Sequence, residues 1–194
     1  HTHLVPEELE QLERLSLTDK HMKLQKSLDA FLFCCYAGMR YSDFTNLSKK
    51  NIVDINQETW LIYKSVKTGT EVRLPLYLLF AGKGIVILNK YRNNLEDFFR
   101  LRDNSNINKD LIIIAKLAGL SKKISFHTAR HTNATLLIYN GVNITTVQKL
   151  LGHKSVKTTQ VYTNIMDMTI VHDLEKIKQA ALGIKKKTDN SFNK

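Results

Sequence analysis

This sequence lacks the features that mark secreted, metal-clustered or membrane-spanning chains. Cysteine occurs twice, as the neighbours Cys34 and Cys35 in an apolar run. Adjacent cysteines do not build a disulfide framework, and no partners with zinc-site spacing stand near them. A reducing, cytoplasmic setting is therefore expected, with no metal implied by these residues. Long apolar runs are missing as well: a stretch such as residues 111–115 is far shorter than the ~20 residues a membrane helix needs. There is no charged-then-apolar leader, glycine-rich phosphate loop, internal repeat or low-complexity block. The chain opens directly on a helix signal, so a fragment of something longer is expected.

Acidic residues are the scarce sign of charge. Twenty-nine Lys and Arg face eighteen Asp and Glu, giving a net charge of +11 and a pI near 9.6. The excess is localised, with thirteen basic and four acidic residues in 109–187 against fifteen and thirteen in 1–108. A polyanionic partner fits this balance, although a basic surface that merely keeps a protein soluble fits it equally. With 194 residues, 43% of them hydrophobic, the chain has material for one substantial core and one domain.

The hydrophobic period assigns the elements. Pro6 followed by EELEQLERL predicts a helix with proline in its first turn, acids at its positive end and leucines at 9, 12 and 15 along one stripe. Across residues 20–37, Leu24, Leu28, Phe31, Leu32, Cys35 and Tyr36 recur at three- and four-residue steps, and Gly38 supplies a stop. Then the period shortens. NIVDI, a turn at Asn56-Gln57-Glu58, TWLIYKSVK, a turn around Thr68-Gly69-Thr70, and EVRLPL predict three antiparallel strands, with Lys67 at the mouth of the second hairpin. Helical patterns return at 85–91, 108–118, 128–139, 143–151, 155–163 and 166–182, several closed by glycine. Ile170, Val171, Leu174, Ile177 and Ala181 give the last helix an apolar face that should be buried. A polar tail from 183 to 194 follows. The fold class is mainly α with a small three-stranded antiparallel sheet.

Cleaving a phosphodiester without a metal needs cations for the nonbridging oxygens, a nucleophile, and an acid for the leaving oxygen. In SFHTARHTNAT, His127 and Arg130 lie three apart at a helix start, on one face and toward a terminus that favours anions. His131 is the neighbouring candidate. His127 and His131 also have the i, i+4 spacing of metal ligands, but the glutamate of HExxH is absent. Each residue alone has an ordinary structural role: His127 as a helix cap, Arg40 paired with Asp43, Lys67 solvated on a loop, Tyr162 half-buried with a wet hydroxyl.

Taken in chain order, AGMRYSDFTNL, VKTGTEVRLPL, SFHTARHTNAT and LLGHKSVKTTQVYT resemble the signature boxes of the tyrosine recombinase (phage integrase) family. The resemblance spans residues 4–182, as that family's catalytic domain, with the N-terminal core-binding domain absent from this chain. The KTGT and FHTARHT wording is most similar to integrases of conjugative or mobilizable transposons. The resemblance implies the DNA breaking-rejoining fold and site-specific recombination through a 3′-phosphotyrosyl intermediate. By the same likeness Arg40, Arg130 and His153 would bind the scissile phosphate, Tyr162 would attack it, and His127 would help take the phenol proton. Lys67 would protonate the leaving 5′ oxygen, and Asp43 would orient the site's cations. The implied partners are double-stranded DNA, a synaptic tetramer built in part through helix 166–182, and accessory DNA-bending factors; no cofactor, metal or membrane is implied. Asn133 stands where the family often has an aromatic. Three other readings remain open here: a type IB topoisomerase-like enzyme that nicks and reseals, a non-catalytic DNA-binding module, and a nuclease using His127 and His153.

Overall fold

A buried helix with a helix packed across it holds this molecule together, and the sequence shows why. In the computed structural model, which describes residues 2–189, helix α1 (Pro6–Glu13) starts at proline and buries Leu9 and Leu12. A 3-10 helix (Asp19–Leu24) then leads into α2 (Gln25–Ala37), so the expected single helix over 20–37 is two pieces. Every α2 residue from Ser27 to Ala37 is buried. That explains a segment apolar on almost all sides, Cys34 and Cys35 included.

Gly38 ends α2 in the left-handed conformation, with φ of +69°. The short helix α3 (Tyr41–Thr45) follows, too brief to carry a period and absent from the sequence expectation. Phe44 anchors it. Its ring lies 5.3 Å from Phe98 and 5.5 Å from Phe99, both edge-on, and 6.2 Å from Phe126. Strands β1 (Ile52–Ile55), β2 (Glu58–Lys64) and β3 (Glu71–Leu74) form the antiparallel sheet in sequence order. The first turn is tighter than expected: Asn56 and Gln57 take positive φ of 52° and 65°, and Glu58 already pairs with Ile55. Leu61, Tyr63, Val72 and Leu74 alternate onto the buried face.

Helices α4 (Lys83–Lys90), α5 (Leu95–Phe99), α6 (Asn104–Leu117), α7 (Phe126–Tyr139) and α8 (Ile144–Leu151) complete the core. Of these, α5 is the second short helix the sequence pattern did not predict. The expected helix over 155–163 is instead a four-residue helix α9 (Val156–Thr159) and a 3-10 turn (Gln160–Tyr162). Helix α10 (Thr163–Asp189) runs seven residues past the expected end at 182; the rest of the expected tail, 190–194, lies outside the described residues. The apolar face of the last helix is expected to be covered by a neighbouring protomer rather than by its own domain. Within this chain the apolar face of α10 is not buried: Ile170, Leu174 and Ile177 are 57%, 60% and 66% exposed. The helix does meet α7, where the Tyr139 and His172 rings lie 4.9 Å apart, but these apolar side chains stay largely in solvent. Among the described residues no helix is long and apolar enough to cross a membrane.

Candidate active site

Two arginines are set by the crossing of α2 and α7. Arg130 sits in the second turn of α7, whose start is fixed by a local cap, the Ser125 N–H donating to Thr128 Oγ1 at 3.0 Å, and by one outside bond, the Phe126 N–H donating to Asn108 Oδ1 at 2.8 Å. Its side chain is nearly fully buried, at 3% exposure, where an unpaired cation would be costly. Two carbonyls at helix C-termini compensate. Nη1 donates to the Gly38 oxygen at 2.8 Å and Nη2 to the Leu151 oxygen at 2.7 Å, so the guanidinium ties the ends of α2 and α8 together. Burial, then the nearby charge of Arg40, lowers its pKa to about 10.

Arg40 follows directly from the end of α2 and caps α3. Its Nη1 lies 3.6 Å from Asp43 Oδ2 and 3.4 Å from Ser65 Oγ. Asp43 is wholly buried and also accepts the Val66 N–H at 2.8 Å, which joins α3 to the second hairpin. Lys67 is exposed in that hairpin loop, and its charge reaches His127. Partial burial, and then the charges of Arg130, Arg40 and Lys67, lower the His127 pKa.

The LGH turn packs against the same hairpin. Gly152 has φ of +65°, and a Cβ there would stand 2.6 Å from Val72 Cγ2. The Thr68 hydroxyl donates to the Gly152 carbonyl at 3.2 Å. His153 follows, with Nδ1 2.9 Å from the hydroxyl of Thr159, which is fully buried in α9. Burial, with the charges of Arg130 and Arg40, lowers the His153 pKa to about 4, so this ring is neutral at pH 7.

The structure thus gathers Arg40, Lys67, His127, Arg130 and His153 into one electrostatic neighbourhood, with Asp43 beneath it. Tyr162 lies beside this group within reach of the Arg130 charge, but its hydroxyl meets a different residue: His131 Nδ1, at 2.6 Å. Burial raises the phenol pKa and the Arg130 charge opposes that rise. The His127 and His131 rings meet edge-on at 4.5 Å, and among the described residues no group of three His, Cys, Asp or Glu converges on a metal position. His131 and Thr159 were not assigned these contacts from sequence. The available signal was helical spacing: His131 lies one turn beyond His127, and Thr159 three residues before Tyr162. Asn133 also finds its place. Its Nδ2 donates to the Cys35 and Tyr36 carbonyls at 2.9 and 3.0 Å, holding the end of α2 beside the Arg130 acceptor.

The helical scaffold thus carries a buried guanidinium, a hairpin lysine, the LGH turn and a tyrosine-bearing turn in one chain. The phage integrase family model matches residues 3–168, and the chain belongs to that family. A tyrosine recombinase from Pseudothermotoga lettingae is 30% identical over 181 residues, covering 91% of this chain and 60% of that protein. The crystal structure of XerA recombinase superposes with a TM-score of 0.69 at 26% identity, covering 91% of this chain and 65% of that one. The Tn1549 transposon integrase, solved with circular intermediate DNA, shares the fold at TM-score 0.62 and 18% identity. The chain thus spans less than two thirds of the length of these proteins.

Proposed function

We propose that this chain is the catalytic domain, residues 4–182, of a tyrosine-type site-specific recombinase that integrates or excises a mobile element. One observation carries the reading furthest: Arg130 is buried against two helix-end carbonyls with a second arginine, Arg40, beside it and, among the described residues, no carboxylate bonded to it. Two cations held at one place, one of them desolvated, favour an anion between them. A planar fork matches a phosphate's two nonbridging oxygens. His153 is neutral and has Nδ1 engaged by Thr159, which leaves Nε2 for the same phosphate.

The chemistry then balances as follows. Tyr162 Oη attacks phosphorus, forming a 3′-phosphotyrosyl bond as the bond to the 5′ oxygen breaks. His127 assists removal of the phenol proton, and Lys67 delivers a proton to the departing oxygen. Rejoining reverses these steps with the 5′-hydroxyl of another strand, which preserves the bond energy that a nuclease would lose to water. Asp43 aligns Arg40 with the hairpin. The reaction needs double-stranded DNA and no cofactor, and it belongs in the cytoplasm. The exposed stripe of α10 supports docking onto a second protomer within a synaptic tetramer; DNA-bending accessory proteins would bring the sites together.

The test is a nicked suicide duplex carrying the element's end sequence, which traps the cleaved state, followed by denaturing electrophoresis. A protein band shifted by covalent DNA is expected, and it should vanish in Tyr162→Phe, while DNA binding persists. No shifted band with the correct duplex and the full-length protein would overturn the reading; an adduct that survives in Tyr162→Phe would move the nucleophile to Tyr139 or Tyr41.

A further inference from the structure

The geometry points to His131 as the residue that holds Tyr162 in a buried, protonated resting position, a bond the phenol must give up before it can attack phosphate. This inference rests on the recombinase reading for its purpose, but not for its physical content.

Three observations carry it. The first is the contact itself: His131 Nδ1 and Tyr162 Oη are 2.6 Å apart, and both side chains are buried, at 9% and 6% exposure. A buried hydroxyl without a partner is costly, so this bond fixes where the phenol rests. The second is the scaffold. His131 lies in the same turn of α7 as Arg130, so the phenol is parked beside the proposed phosphate position and yet bonded away from it. The third is the arrangement of the tyrosine-bearing segment. Thr159, three residues before Tyr162, is anchored separately by His153, at 2.9 Å. Two histidines from different elements therefore clasp one short segment. Release of Tyr162 from His131 would involve the 3-10 turn Gln160–Tyr162 while α9 stays tied to the LGH turn through His153 and Thr159.

The direction of the proton separates a resting clasp from a base. Burial, and then the charge of His127, lowers the His131 pKa to about 4, whereas burial raises that of Tyr162. The proton therefore stays on oxygen. The phenol O–H donates to Nδ1, and the imidazole proton sits on Nε2. The gain is control. Arg130 draws the phenol toward its anionic form, and a phenolate beside that guanidinium would be a standing nucleophile even without correctly placed DNA. Burial against a weak acceptor keeps the oxygen neutral until the turn moves.

The test compares His131→Phe, which keeps a ring but has no acceptor, with His131→Asn, whose Oδ1 replaces Nδ1. Nitration of Tyr162 by tetranitromethane in the absence of DNA, mapped by mass spectrometry, reports how often the phenol leaves its cradle. Loss of one hydrogen bond should raise the nitration rate about fivefold to tenfold in His131→Phe, with His131→Asn close to wild type. On the suicide duplex, His131→Phe should form adduct several-fold faster. Equal nitration in wild type and His131→Phe, or slower adduct formation in a folded His131→Phe, overturns the proposal. Should His131→Phe not fold, the ¹⁵N resonance of His131 Nδ1 decides: it must shift between wild type and Tyr162→Phe, and no shift overturns the clasp. If wild type forms no adduct at all, the recombinase reading fails, and nitration and resonance still judge the clasp.

Discussion

The two sides of the site are held in opposite ways. Arg130 is locked by two backbone carbonyls at the meeting of α2, α7 and α8, in a setting where Gly38 leaves no room for another atom. Tyr162 sits on a turn of three residues, with its hydroxyl bonded to the His131 side chain, and is followed by a helix whose residues Ile170, Leu174 and Ile177 are exposed. The difference teaches a division of labour. The arginine half is part of the core, while the tyrosine half sits on a short turn at its edge, where a change of position would disturb the core less.

Four experiments sharpen or break this contrast. The largest effect is expected at Lys67. As the acid for the leaving oxygen, its loss in Lys67→Ala should slow cleavage about 10²–10⁴-fold. Replacing the bridging 5′ oxygen by sulfur should restore the rate, because a thiolate leaves without a proton, its conjugate acid having a pKa of about 8.5. Arg40→Ala and Arg130→Ala should recover much less. Equal defects of Lys67→Ala on both substrates would remove the lysine from this role.

Next come the glycines. At Gly38 an added Cβ would lie 2.6 Å from Asn133 Oδ1 and 2.8 Å from Leu151 Cδ2, on a backbone with φ of +69°. Gly38→Ala should cost about 3 kcal/mol, the sum of left-handed strain and overpacking. Gly141 has φ of +86° and nothing within 4 Å, so Gly141→Ala should cost only about 1 kcal/mol. Chemical denaturation measures both, and equal costs would mean that the close packing around Arg130 is not rigid.

The third experiment uses pH. His131 and His153 both fall from 6.5 to about 4 in the folded chain, so unfolding takes up protons between those values. Their contribution is fully present above pH 6.5 and is lost as pH drops toward 4, by roughly 1–2 kcal/mol each after solvent screening. Melting curves at pH 7 and pH 5 should show the drop, and His131→Asn should remove part of it. An unchanged drop in that variant would take His131 out of the account. The smallest effect is expected on α10. Ile177→Glu, at a position 66% exposed, should change stability by less than about 0.5 kcal/mol, while weakening association between protomers on DNA, read by native gels. A large loss of stability would instead place that face against its own domain.

Much of this arrangement was legible in the sequence, for identifiable reasons. Long periodic elements were clear: α2 from its leucines and phenylalanines, the strands from their alternation, and α6, α7 and α8 from their glycine stops. Arg40, Lys67 and His153 could be placed because each sits at an element end marked by Gly38, Gly69 or Gly152. What failed was short or depended on distant partners. Helices α3 and α5, at five residues each, exist because Phe44, Phe98 and Phe99 pack on one another across the fold, and no local period records that. The His131–Tyr162 bond joins residues 31 apart and depends on a turn that replaces the expected regular helix. The α10 face was recognised as apolar, but periodicity cannot say whether its cover comes from the same chain.

Cys34 and Cys35 are the chain's two cysteines and both are wholly buried. Burial also raises both thiols well above their ordinary pKa, which keeps them from reacting as thiolates. The exterior is therefore blank to maleimide chemistry, and the native pair need not be replaced before labelling. A single new cysteine at Val161, 57% exposed on the turn that carries Tyr162, would accept a dye without competition. Paired with a second dye on the DNA, it would turn any travel of the Tyr162 turn into a distance that fluorescence can follow one molecule at a time.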